Sequence, residues 1–360
     1  MSTSPRLGGA STHTPRWLFA VGAFVLISAS IGLFIFILNG GTRRGSQSPS
    51  PQPTSTEIGM GTETLRPRNL DGVFVPEGQE SLPVRALMID NQIDARPWSG
   101  ISQAQLVIEA PVEGGITRFL AFFDATTTVP MIGPVRSARP YFVEWAQGWK
   151  ALYGHVGGSE EALQKIRSLG KTFFDLNEMA YGKYFWRSPN HVAPHSTYTK
   201  SDFLNEAAIL RSATSSVPRV WHFQDVSTST ESTISRFIVG YGGSYSVSWI
   251  YSTSTGLYTR SQGGKPQRDA EGNAVEASNV IVLKTESEVL DTYGRLKVRT
   301  VGSGDALIYR NGQKYITRWR RSPSEGIRFE GIDGADAAVN RGTTWIEVMT
   351  EEAMFTALSK

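Results

Sequence analysis

The residues able to do chemistry in this sequence sit at the ends of short apolar runs. Asp90-Asn91 closes VRALMID and Glu109 closes AQLVIEA, after which APVEGGITR carries Glu113, the Gly114-Gly115 pair and Arg118. IGPVRSARP brings Arg136, Ser137 and Arg139 to a helix start at Pro140, and His155 ends ALYGHV just before Gly157-Gly158-Ser159. Guanidinium forks match phosphate or carboxylate, and helix starts marked by glycine or proline offer backbone N–H groups to negative charge. The pattern points to an anionic ligand. A second reading stays open, in which Arg136 and Arg139 pair internally with Glu109 and Glu113 as a salt-bridge network.

Glu109 and Glu113 are four apart, but Pro111 and Gly114 rule against a helical register between them. Converging in space beside arginines, two carboxylates could hold a divalent cation or activate a hydroxyl, although structural pairing is their commoner role. RSPNHVAPHSTYT places Arg187, His191 and His195 in one loop. The His-x-x-x-His spacing would suit zinc on a helix, but Pro189 and Pro194 interrupt it and the Glu of HExxH is missing. These histidines are loop residues held by backbone partners, or His155 or His195 works as a general base. No nucleophile elbow, Walker loop or dinucleotide fingerprint is present. Tyr245, Trp249 and Tyr251, with Trp319 and Trp345, could stack on sugar rings, but aromatics at period two more commonly form a sheet core.

The elements that must position these groups follow from periodicity. Four apolar strands, Val84 to Asp90, Ala104 to Ala110, Ile116 to Asp124 and Ala151 to Val156, alternate with helices. Continuous apolar strands imply a mixed sheet covered by helices on both faces, an α/β first domain whose ligand crevice lies at the strand ends. Helices are expected from Pro140 to Trp149, from Ser159 to Gly170, and after the capping-box pattern Thr199-x-x-Asp202. Beyond Ser212 the chain turns β-rich: NVIVLK is a buried-type strand, Asn311-Gly312 marks a two-residue hairpin, and Thr343 to Met349 is a further strand. A short helix is expected from Glu351. The division is thus residues 83–212, α/β, and 213–360, a β-rich α+β domain.

Ahead of both lies an uncharged run, Trp17 to Asn39, spanning roughly 34 Å as a helix against a bilayer core of about 30 Å. Its length favours an uncleaved transmembrane anchor over a signal peptide. Residues 1–16 then form a cytoplasmic tail and 40–82, which include SQSPSPQPTST, a flexible linker. A formal charge of +3 without basic runs argues against nucleic acid, and the lack of cysteine excludes disulfides, thiol catalysis and a lipid-bearing Cys.

The stretches ALMIDNQIDARPWSGISQAQLVIEAPVEGGITRFLAFF, IGPVRSARPYFVEWA, GHVGGSEEAL and APHSTYT, with VGSGDALIYRNG and GTTWIEV further on, resemble the bacterial YerB-like proteins of the DUF3048 family. The resemblance covers about Pro83 to Met349 and implies a surface location with no established biochemical activity; here a helix stands where the family has a lipid-bearing Cys. GPVRSAR followed by HVGGSEEAL is also similar, more faintly, to LytR-CpsA-Psr proteins, which transfer lipid-linked glycopolymers. That likeness implies pyrophosphate ligands at Arg136 and Arg139 and Mg2+ near Asp90 or Glu109, a metal-assisted phosphotransferase. The family's Arg-Asp-Thr step is Arg136-Ser137-Ala138 here, a departure that bears on catalysis. The expected partners are the membrane and, through the Arg-rich loop, a cell-wall glycopolymer, a lipid pyrophosphate or an envelope protein for which the chain is a scaffold.

Overall fold

The structure, a computed structural model, describes residues 64–214, 218, 221–226 and 234–350, and the backbone of a strand at 354–358. The expected tail, the anchor and residues 40–63 of the expected linker lie outside the described residues. Among the described residues no helix is long and apolar enough to cross a membrane.

Five strands of the first half, β1 (Val84–Asp90), β2 (Leu106–Pro111), β3 (Thr117–Asp124), β4 (Leu152–His155) and β5 (Phe174–Asn177), are the predicted apolar runs and one more. The second half adds β6 (Arg236–Gly240), β7 (Val247–Ser252), β8 (Leu257–Gln262), β9 (Asn279–Lys284), β10 (Gly302–Arg310), β11 (Gln313–Arg321), β12 (Arg328–Gly331), β13 (Thr344–Met349) and β14 (Met354–Leu358). One ten-stranded mixed sheet runs β12-β11-β10-β9-β13-β2-β3-β1-β4-β5. Its centre is a run of parallel pairs, β9 with β13 and β13 with β2, so strands from the two halves share one ladder. The division at 213 therefore falls inside a single compact unit, Gly61–Lys360.

Alternation along the strands separates two cores. Ala86 and Met88 of β1 point to one face, where α1 (Pro140–Gly148) and α2 (Glu160–Leu169) supply Phe142, Trp145, Ala162 and Ile166. Leu87 and Ile89 point to the other, where α3 (Ser201–Leu210) and the second sheet, built on β6 to β8 and β14, supply Leu204, Phe237, Trp249 and Tyr258. Helices do cover both faces of the first half, but on the second face a sheet shares the work. Trp249, Trp319 and Trp345 lie in these cores and are closed to sugars. Tyr245 stands outside β7, in a 3-10 turn.

Several boundaries differ from the sequence reading. Order begins before Pro83: Leu65–Pro67 pairs with Phe74–Pro76, and Leu70 and Asp71 between them are buried. The last segment is strand β14, paired antiparallel with β6, where a helix was expected from Glu351. The capping box before α3 does not form, because Lys200 is the cap residue and the Thr199 hydroxyl donates to the Tyr184 carbonyl at 2.8 Å. The other punctuation holds. Ser159 accepts from the Ala162 N–H to cap α2 at 3.3 Å, and Asn311 and Gly312, both at positive φ, join β10 to β11.

Candidate functional site

The polar cluster at the end of β1 is assembled by a segment laid across that strand. The Arg136 N–H donates to the Met88 carbonyl at 2.8 Å and the Asp90 N–H to the Pro134 carbonyl at 2.9 Å. On its far side the Val135 N–H donates to the Thr197 carbonyl at 2.7 Å. These backbone bonds bring Arg136 and His195 to Asp90 from opposite directions. Arg136 Nε stands 2.9 Å and His195 Nδ1 2.8 Å from the same oxygen, Asp90 Oδ2, while Asp90 Oδ1 accepts the Gln92 N–H at 3.0 Å. Asp90 is buried, whereas the Arg136 side chain is 24% exposed.

A second carboxylate gathers the other two arginines. Arg139, the cap residue of α1, donates Nε to Glu113 Oε2 at 2.9 Å and bonds Glu113 Oε1 through its terminal nitrogen. Arg118, opposite Asp90 in the β1–β3 register, reaches Glu113 at 3.4 Å and the Ser137 carbonyl at 3.1 Å, leaving its buried Nε without a hydrogen bond. Burial lowers the Arg118 pKa to about 10, with Arg139 and Arg136 adding like-charge repulsion. Burial pushes the Glu113 carboxyl upward, but the hydrogen bond from Arg139 and the charges of Arg118 and Arg139 outweigh it and hold the group at about 2. Three guanidiniums thus share two carboxylates.

Glu109 is elsewhere. It is fully buried and accepts from Thr117 Oγ1 at 2.6 Å, from Asn91 Nδ2 at 3.2 Å and from Arg260 at 2.6 Å. The partner of Glu109 is therefore Arg260 of β8 and not Arg136 or Arg139; of the pairings expected from sequence, Arg139 with Glu113 is the one that forms. Arg260 is itself enclosed by Trp98, Phe119 and Trp345, its Cζ 5.2 to 5.8 Å from their ring centroids. Glu347 of β13, beside Glu109 in register, accepts from Trp249 Nε1 at 2.8 Å and from the Tyr241 hydroxyl at 2.9 Å. Burial first, and then the charge of Glu109, drive the Glu347 carboxyl well above the usual range, so it keeps its proton.

Arg260, Glu347 and Tyr241 escaped the sequence reading. The available signal was a single charged residue inside an otherwise buried-type strand, TWIEVM for Glu347 and LYTRSQ for Arg260. Other candidates stand apart. His155 is buried under the glycine turn, its Nδ1 donating to the Gly157 carbonyl at 2.6 Å and its Nε2 2.7 Å from Asp175 Oδ1, so neither nitrogen is open to a ligand. Arg187 lies on the surface paired with Glu178, and the His191 ring lies by Tyr198 rather than on a metal set.

The magnesium implied by the fainter likeness does not fit these residues. Asp90 Oδ2 faces Arg136 and His195, Asp90 Oδ1 accepts a backbone N–H, and Glu109 is sealed beneath Arg260. Among the described residues no cluster of three or more acidic or histidine groups is arranged to hold a metal. The arrangement can neutralise and orient an anion.

Fold and site together define a protein in which two sequence halves close one mixed sheet around internally paired arginines. Residues 71–214 match the family model described as "Protein of unknown function (DUF3048) N-terminal domain", and residues 237–346 match the corresponding C-terminal domain. "Putative lipoprotein YerB" of Bacillus subtilis (strain 168) is 31% identical over 280 residues, 76% of this chain and 82% of the relative. The crystal structure of YerB from Bacillus subtilis superposes with a TM-score of 0.71 at 30% identity, covering 80% of this chain and 98% of that one. The chain belongs to the DUF3048 family.

Proposed function

We propose that this chain is an extracytoplasmic protein held at the bacterial cytoplasmic membrane, whose Arg-rich loop binds an anionic envelope ligand, a glycopolymer or a lipid pyrophosphate. The location rests on the uncharged run from Trp17 to Asn39 and on a relative named as a lipoprotein. The ligand class rests on one observation: among the described residues the carboxylates that meet Arg118, Arg136 and Arg139 are those of Asp90 and Glu113, and the most exposed of the three guanidiniums is that of Arg136. A surplus guanidinium at a partly open edge receives a phosphate through charge-assisted hydrogen bonds. Metal-assisted phosphoryl transfer fits less well, because the carboxylates that would hold the metal already face Arg136 and Arg260.

The test uses the full chain with immobilised poly(glycerol phosphate) and, separately, farnesyl pyrophosphate. Arg136→Gln is expected to weaken retention of one of them at least tenfold while the melting temperature stays near that of the parent, since Asp90 keeps His195. Unchanged retention on both, or a sharp loss of stability with no loss of binding, marks the cluster as structural and ends the proposal.

A further inference from the structure

A second pocket lies far along the sheet from the arginine loop, where β10, β11 and β12 meet the turn after Gly331. It encloses about 500 Å³ and is lined by Arg310, Tyr315, Ile316, Ile332, Asp333 and Asp336 among others. Ligand sites commonly occupy about 300 to 1,000 Å³. Its cation is the unusual part. Arg118, Arg139 and Arg260 each meet a carboxylate, and Arg321 meets the Glu144 and Thr300 carbonyls. Arg310 has no hydrogen bond or ion pair from its guanidinium among the described residues; it stacks on Tyr315 with Cζ 4.1 Å from the ring centroid, and its Nε is buried without a partner. The Asn311-Gly312 turn fixes this pair, since it sets Arg310 opposite Gln313 and so Tyr315 two residues on along the same face.

The rim is apolar and conspicuously bare. Ile332 at its mouth is 87% exposed although it is a large aliphatic side chain, whereas Ile316, the residue after Tyr315 on β11, turns to the other face of the strand. The acidic residues beside Ile332 are solvated: Asp333 spends one oxygen on the Ala335 N–H at 3.1 Å, and Asp336 is exposed. A doubly charged group entering here would meet more like charge than one guanidinium offsets, whereas a single carboxylate can take the Arg310 fork bidentately and lay an apolar body on Ile332.

We propose that this pocket binds a monocarboxylate carried on a small apolar stem, with Arg310 as its charge partner, Tyr315 holding the guanidinium in plane, and Ile332 covering the stem. The site is independent of the arginine loop. The test is ligand-observed saturation-transfer NMR on the full chain with N-acetyl-leucine, its neutral twin N-acetyl-leucinamide, and isopentyl phosphate. N-acetyl-leucine is expected to bind at least tenfold more tightly than either comparator, Arg310→Met to lose at least tenfold, and Ile332→Ser to lose several-fold. Arg310→Met should melt no lower than the parent, because a charge without a counterion is being replaced by an apolar side chain of similar length. Equal binding of acid and amide, tighter binding of the phosphate, no binding of any probe, or a lower melting temperature in Arg310→Met together with unchanged binding in Ile332→Ser each overturns the proposal.

Discussion

Glu113 and Glu347 show how one residue type is driven in opposite directions by its surroundings. The folded Glu113 sits at about 2 because Arg139 and Arg118 outweigh the burial that raises it. Its contribution is present above the unfolded carboxyl value of about 4.3 and is lost as pH falls through about 2. Glu113→Gln should therefore lower the urea midpoint at pH 7, with parent and variant converging between about pH 4.5 and pH 2. A gap that persists at pH 2 would mean the glutamine disturbs packing instead. Glu347 behaves in reverse: burial raises it, so the proton it keeps costs more as pH rises above the unfolded carboxyl value, up to about 1 kcal/mol per pH unit until the folded value is reached. Glu347→Gln keeps an acceptor for Trp249, and its N–H can be taken by the Tyr241 oxygen once the Tyr241 hydroxyl, which donates to Glu347 in the parent, turns to the Glu109 carbonyl 3.4 Å away. Its stability should match the parent near pH 4 and exceed it at pH 8, and parallel stability curves would contradict that account. Asp90, Arg118, Arg136 and Arg139 were legible as a cluster because loop residues at the ends of apolar strands converge on one sheet edge. Arg260 was not, since nothing local in LYTRSQ indicates which carboxylate, 151 residues away in sequence, lies beneath it.

Elements were read best where local chemistry decides them. β1 is buried at every position and its bounds are those of the apolar run; the Asn311-Gly312 turn follows from two residues that tolerate positive φ. They were read worst where a tertiary partner competes. Thr199 gives its hydroxyl to the Tyr184 carbonyl and is lost as a cap, and the 354–358 segment takes the open edge of β6 in place of a helix. The end of α1 carries a constraint of the same kind. A Cβ on Gly148 would lie 2.2 Å from the Glu325 carbonyl oxygen, a backbone atom with little freedom to yield. Gly148→Ala should cost about 1 to 3 kcal/mol despite the better helix propensity of alanine. Thermal melting checks it, and a neutral or stabilising result would mean that the 322–326 turn moves aside.

For the whole described unit, the decisive contact is the parallel pairing of β13 with β2. Strand periodicity predicted both strands but could not pair them, because a period of two specifies which face is buried and not which neighbour is bonded. The matched family models run from 71 to 214 and from 237 to 346, yet the sheet does not stop between them. Fragments 64–212 and 213–360 made separately should each lack a cooperative melt, since each leaves a central strand edge bare and Glu109 and Arg260 without each other. Mixing or co-expressing them should restore it. A sharp melt from either fragment alone would mean that the two halves fold as separate domains.

The place of β13 also bears on how the chain is made. Ribosomal synthesis and any export across a membrane deliver residues in order, and β13 is delivered after every other strand of its sheet, yet it is inserted between β9 and β2 in the middle. Until residue 349 has emerged, β2 carries an unpaired parallel edge next to a hydrophobic face, the kind of surface that nascent chains misuse for aggregation. The polypeptide thus passes most of its synthesis unable to close this sheet, and closure is timed by the arrival of one six-residue strand.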